Sequence, residues 1–283
     1  MKLSQANIKL LTDESSKIVH PKILENPKFS PWLDNCIGSL DGTQIPLHLS
    51  PSDQQRYRNR KGGVSHNVLA ACDFDLRFTY VYPGWEGSAN DQRVLQDAFE
   101  KGGLIVPYGK FFLADAGFVN KGTILTPFRN TRYHLKEFNS GLKDSPQTPQ
   151  EIFNGRHSQI RIDIERAFGI VKRRFPILTT PRSFHKWKQI RLVVALAALH
   201  NWIRDNRDER DINEDIFDNP EIGGGVEGVG VEGGDGEGVG VEGMDQISVE
   251  AMNAFRIRVA KQMLEQYHNY KRLIIARNRV SHT

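Results

Sequence analysis

Apolar and polar residues alternate at short range through the first half of the chain, then recur at spacings of three and four through the second. "NCIGSLDGTQIPLHL" reads as a strand with an interrupting turn or bulge at Asp41–Gly42, and "HNVLAACDFDLRFTYVYPG" as two strands joined near Asp73–Asp75. "NDQRVLQDAFEKG" has helical spacing with Asn90 as its cap, and "GKFFLADAG" supplies a further strand. "TPFRNTRYHLKEF" and "LKDSPQTPQEIFNGRH", punctuated by Pro127, Pro146 and Pro149, read as loop or short helix. A long helix is expected from about Ser158 to Arg174, stopped by Pro176, with Ile160, Ile164, Ala167, Phe168 and Val171 as one apolar stripe. "RSFHKWKQIRLVVALAALHNWIRDN" predicts a more apolar helix. "ISVEAMNAFRIRVAKQMLEQYHNYKRLIIARNRV" predicts an amphipathic one, with Met252, Phe255, Val259 and Met263 on its apolar face and a basic end.

The order β–β–β–α–β–α–α predicts an α/β fold with a mixed sheet flanked by helices, the early hairpin strands antiparallel and a later strand returning through a helix. Ile222 to Gly243, "IGGGVEGVGVEGGDGEGVGVEG", repeats a Gly-Val-Glu theme that offers no periodic face to bury, so disorder is expected there. It serves as a flexible spacer or as an acidic competitor for a basic surface. The chain accordingly divides into an N-terminal segment (1–29), a main domain (30–206), an acidic Gly-rich linker (207–245) and a C-terminal helix (246–283).

Charge sharpens this division. The 283 residues carry a net +4, yet residues 205–245 hold 14 acidic and 2 basic residues, leaving 36 basic against 20 acidic elsewhere. A basic folded part implies a polyanionic partner or a solvated cationic surface. The longest apolar run, "LVVALAALHNWI", is far short of the ~20 residues a bilayer needs and contains His200 and Asn201, which marks a core helix. The start of the chain lacks the apolar stretch of a secretory signal. Cys36 and Cys72 form no disulfide framework and no zinc motif, which points to a reducing intracellular setting.

Asp41 and Asp115 each end an apolar run near a glycine, and Glu165 lies in the helix rich in arginine and lysine. Two strand positions and a helix can converge, and several carboxylates are what two neighbouring dications require to offset their repulsion. An all-oxygen set suits Mg²⁺ or Mn²⁺. Taken singly, the same residues also read as a turn, a strand cap and a surface ion pair. Asp91 reads as a helix cap or as a fourth ligand. His157 reads as a group touching carboxylate or phosphate, or as a satisfied structural histidine; His200 reads as a core hydrogen bonder. "QQRYRNRKGG" offers Arg56, Arg58, Arg60 and Lys61 for phosphate, with Tyr57 for stacking. The Glu165 helix adds Arg161, Arg166, Lys172, Arg173 and Arg174 as candidate DNA contacts, the last three equally explained by a helix end.

The words "SLDGTQIPL", "RYRNRKGGVSHNVLAACDFDLRFTYVYPGWEGSANDQRVL", "FFLADAGFVNKGTILTPFRNTRYHL" and "NGRHSQIRIDIERAFGIVKRRFPIL" together resemble the nuclease domain of PIF/Harbinger-type transposases and their domesticated derivatives, over about Ser30 to Asn206. The resemblance implies a ribonuclease H-like fold with a DDE triad at Asp41, Asp115 and Glu165. It further implies metal-dependent DNA cleavage in the nucleus, with Asp41 bridging two metals. The family usually has a histidine where this chain has Asn90. Its helix-turn-helix region is also too long for the 40 residues before Asp41, so target choice is expected to be missing or to come from a partner such as a Myb-like DNA-binding protein. A catalytically silent interaction module built on the same fold is the rival expectation.

Overall fold

The computed structural model describes residues 8–9, 12–131, 146–206 and 248–280. The acidic Gly-rich linker, most of "TRYHLKEF" and the first residues of the chain lie outside this set. Five strands form one sheet in the order β3-β2-β1-β4-β5. They are β1 (Cys36–Pro46), β2 (Ser65–Cys72), β3 (Phe78–Glu86), β4 (Phe111–Leu113) and β5 (Ile124–Leu125). β1, β2 and β3 run antiparallel in sequence, whereas β4 lies parallel to β1 and β5 parallel to β4. Helix α1 (Asp91–Glu100) leads into β4; α2 (Pro149–Arg174), α3 (Lys186–Asn206) and α4 (Val249–Val280) follow the sheet. The architecture is the α/β mixed sheet expected from the pattern.

β2 is buried on both faces, and its alternation sorts the helices. Val68, Ala70 and Cys72 share a cluster with Ile164, Ala167, Phe168 and Val171 of α2 and Val193 and Ala197 of α3. Leu69 and Ala71 face Val94, Leu95 and Ala98 of α1. Because a strand turns successive side chains to opposite faces, Asp41, paired with Ala70, belongs to the α2 face, and Gly42, paired with Leu69, to the α1 face.

Two local expectations change. β1 runs through Asp41–Gly42 without interruption, and its irregularity falls earlier, between Cys36 and Ser39, on the β4 side. At that point Gly38 has φ +148°, and a Cβ there would lie 2.0 Å from the Cys72 carbonyl oxygen, so only glycine fits. Helix α2 begins at Pro149, nine residues before the predicted start at Ser158. Thr148 accepts from the Glu151 amide, Glu151 returns a bond to the Thr148 amide, and Pro149 occupies the first turn, a capping box whose signal is plain in "TPQE".

A third cluster lies beyond the sheet's parallel edge. Leu113 and Leu125 meet Phe153 and Ile160 of α2, Met252, Val259, Ala260 and Met263 of α4, and Ile23, Phe29 and Leu33 from the N-terminal segment. The hydrophobic core therefore continues past residues 30 and 206, where the sequence suggested boundaries. Cys36 and Cys72 are buried free thiols. Among the described residues no helix is long and apolar enough to cross a membrane.

Candidate active site

β4 accompanies β1 only from Cys36 to Ser39, so its ladder stops two residues before Asp41. The crevice past the carboxyl end of β4, beside the middle of β1, gathers the acids. Asp41 enters from β1, Asp115 from just after β4, and Glu165 from α2 above the sheet. Asp115 folds back so that its Oδ1 accepts from the Gly117 amide at 2.8 Å. Asp41 Oδ1 likewise accepts from the Gly42 amide at 2.7 Å.

Arg161 stands between two of these carboxylates. Its Nη1 donates to Asp41 Oδ2 at 3.2 Å, and its Nη2 to Glu165 Oε1 one helical turn along. The three side chains are between 15% and 27% exposed, so the ion pairs are only partly screened by water. Burial pushes the Asp41 carboxyl up to about 8 against the opposing pull of Arg161, and the neighbouring charges of Asp115 and Asp91 push it further the same way. Asp41, Glu165 and Asp115 thus crowd one guanidinium.

Asp91 does not cap the helix, contrary to the reading the sequence favoured. Asn90 caps α1, accepting from the Gln92 amide at 2.8 Å, as the sequence suggests. Asp91 instead turns its Oδ1 toward the sheet, where Asn67 Nδ2 donates to it at 2.6 Å. Burial raises its pKa too, against the Asn67 bond, and Asp115 adds to the rise. A Cβ on Gly42 would lie 2.5 Å from this oxygen, so the absence of a side chain at 42 is what admits the Asp91 carboxylate from the opposite face. Asn67, which sequence reasoning missed, also presents a buried Oδ1 with no hydrogen-bond partner. Strand pairing decides its importance, and no local motif announces it.

The donor set fits a hard divalent cation: all oxygens, mostly carboxylate, with a buried amide oxygen beside them. As the side chains stand, no three acidic, histidine or cysteine groups among the described residues meet closely enough to hold one ion, and Arg161 separates Asp41 from Glu165. Metal binding therefore requires the guanidinium to move.

The other predicted residues divide by exposure. His157 is 1% exposed, its Nε2 lies 3.0 Å from the Leu125 carbonyl oxygen, and burial lowers its pKa to about 3, so it is a structural histidine that faces no phosphate. His200 is equally buried. Its Nε2 can only donate to the Leu76 carbonyl and its Nδ1 only accept from Arg174, which fixes one neutral tautomer. Arg174 is thus turned inward, as are Arg161 and Lys172, whose Nζ donates to Thr43 Oγ1 at 2.7 Å and to the Gln44 carbonyl at 3.2 Å. Arg166 leans toward Asp163 at 3.8 Å, and Arg173 is exposed. On the β1–β2 side Arg58, Arg60 and Lys61 are exposed, while Arg56 pairs with Glu86 at 2.8 Å. Tyr57 is buried against Leu47 and Leu49, so its ring is not available for stacking.

Residues 40–201 match the family model described as DDE superfamily endonuclease, an interval that opens one residue before Asp41 and contains every acid of the crevice. The chain belongs to the DDE superfamily endonucleases. The mixed five-stranded sheet with flanking helices is consistent with their ribonuclease H-like fold. Among curated relatives, Protein ALP1-like of Arabidopsis thaliana is 29% identical over 196 residues, 62% of this chain and 45% of its own length. Putative nuclease HARBI1 of Xenopus laevis is 25% identical over 171 residues, 58% of this chain and 45% of its own length. The DDE endonuclease domain described here is thus of the transposase-derived kind, and the chain spans about half the length of these relatives. No solved structure matches.

Proposed function

We propose that this DDE-family chain is a metal-dependent DNA endonuclease, with Asp41, Asp115 and Glu165 as the carboxylates that hold divalent metal, magnesium or manganese, and Asp91 as an acid beside them. The observation that carries this reading is the nearness of Asp41, Asp115 and Asp91, reached from both faces of the sheet, close enough that Asp115 raises the pKa of both others and Asp91 that of Asp41. Bound metal there would supply an activated nucleophile and stabilise the leaving oxygen.

The protein's own groups do the rest. Asn67 fixes the rotamer of Asp91, and the Gly42 and Gly117 amides orient Asp41 and Asp115 by bonding one oxygen of each. Lys172 ties Thr43 and Gln44 to α2, which keeps the strand that carries Asp41 in register with the helix that carries Glu165. Arg60, whose charge reaches Asp91, and Lys61 extend positive surface outward from the acids, where a DNA backbone would pass. On this reading the protein would work in the nucleus, where it would meet DNA.

Cleavage of supercoiled plasmid with Mg²⁺ or Mn²⁺ tests the proposal. Wild type should nick DNA, and Asp41→Asn, Asp115→Asn and Glu165→Gln should each lower the rate by at least about a hundredfold at a temperature where their melting curves show them folded. A well-folded chain that binds DNA but never cuts it, whatever the metal, would leave a nuclease fold without nuclease activity and sink the proposal.

A further inference from the structure

Phe184 and Trp187 are 49% and 57% exposed at the start of α3, three residues apart. Large exposed aromatics alone call for no explanation, but these two lie in an unusual setting. The stretch from Thr179 to Arg191 contains Arg182, His185, Lys186, Lys188 and Arg191 and no acidic residue. Its backbone is pinned by Gln189, which is 8% exposed. Gln189 Nε2 donates to the carbonyls of Phe184 at 2.6 Å and His48 at 2.8 Å, and its Oε1 accepts from the His48 amide at 3.0 Å. A buried amide with three bonds thus holds an exposed aromatic ledge against the continuation of β1.

The ledge joins the crevice. Lys186 Nζ lies 5.3 Å from the centre of the Tyr57 ring and 5.6 Å from that of Trp187, so it bridges the basic loop of Arg58, Arg60 and Lys61 to the aromatics. At the loop's other end, the charge of Arg60 acts on Asp91. Past the end of β1, His48 lies seven residues beyond Asp41. At ~3.3 Å per residue that is roughly 23 Å, or about seven nucleotide steps of ~3.4 Å.

We propose that Phe184 and Trp187, with Arg182, Lys186 and Lys188 around them, form a stacking platform for unpaired nucleotides of a DNA strand that continues into the carboxylate crevice. Aromatic faces stack on any base, whereas in a paired duplex those faces are already covered. Interleaved cations without acids favour a polyanion over an apolar protein surface. The preferred substrate is therefore DNA with a single-stranded tail or a melted stretch about seven nucleotides from the scissile bond. The place of that bond rests on the nuclease reading above; the binding of unpaired DNA by the ledge does not.

Fluorescence anisotropy of the full chain in EDTA separates the two. Labelled 20-mers are supplied as single strand, blunt duplex and duplex with an unpaired tail. Wild type should prefer the tailed and single-stranded probes. Phe184→Ala/Trp187→Ala should weaken these about tenfold and blunt duplex less than twofold, while Trp187→Phe keeps most of the preference. Circular dichroism melting confirms that the variants fold. Equal affinity of wild type for blunt and tailed probes, or equal weakening of both by the double substitution, overturns the platform. A platform that binds unpaired DNA in a chain that never cuts it would leave this inference standing and the nuclease proposal fallen.

Discussion

Arg161 brings a permanent positive charge to the place where Asp41, Glu165 and Asp115 crowd together, and it is itself largely out of water. Removing one partner of a fully buried pair costs roughly 3–5 kcal/mol because the other charge is stranded, so this partly exposed site should lose about 2 kcal/mol. Arg161→Gln should therefore melt at lower temperature than wild type in EDTA. A ligand that binds only the folded state stabilises it in proportion to its saturation, and the vacated space and stranded carboxylates favour a dication. Titrating Mn²⁺ should then raise the melting temperature of Arg161→Gln more than that of wild type. An identical metal response in the two would mean that the guanidinium and the metal do not share the crevice. The nearness of Asp41, Asp115 and Glu165 around one spot was foreseeable from the sequence because each sits in a recognisable word. Asp91's orientation was not, because it depends on Gly42 and Asn67, distant in sequence and joined only by strand pairing.

At the scale of elements, the boundary signals explain which predictions held. Asn90 before Asp91 and Pro176 after Arg174 marked a helix start and a helix stop, and α1 begins and α2 ends there. The first nine residues of α2 were hidden in "SPQTPQEIFNGRH", where Pro146 and Pro149 suggested a loop or short helix, although Pro149 lies in the first turn, where a missing amide costs no helical bond. Thr148 and Glu151 supply the local energy for that start. Thr148→Ala should lower the unfolding free energy by about 1 kcal/mol in urea titration, with no change in α2's interior, since the cap serves only the first-turn amides. A loss near zero would show that Phe153, buried one turn later, anchors the helix start unaided. β5 escaped notice for a different reason: two residues, Ile124 and Leu125, cannot display a period, and only their ladder with Phe112 and Leu113 makes them a strand.

Across the whole molecule, Arg156 joins three parts of the chain that are far apart in sequence. From α2 it donates to the Lys28 carbonyl in the N-terminal segment at 2.9 Å and to Gln266 Oε1 on α4 at 2.8 Å, and Gln266 in turn donates to the Pro27 carbonyl at 2.7 Å. Burial lowers the guanidinium's pKa to about 10, and Trp32 lies 5.3 Å away beneath it. Met252, Val259, Ala260 and Met263 complete the grip on the apolar side. α4 thus behaves as an inlaid piece whose hold does not depend on the peptide that leads to it. A chain cut once at an engineered protease site between residues 207 and 247 should still elute as a single native species, releasing the C-terminal fragment only in denaturant. Arg156→Met should loosen that non-covalent pair, so that the two fragments separate on gel filtration at a lower urea concentration.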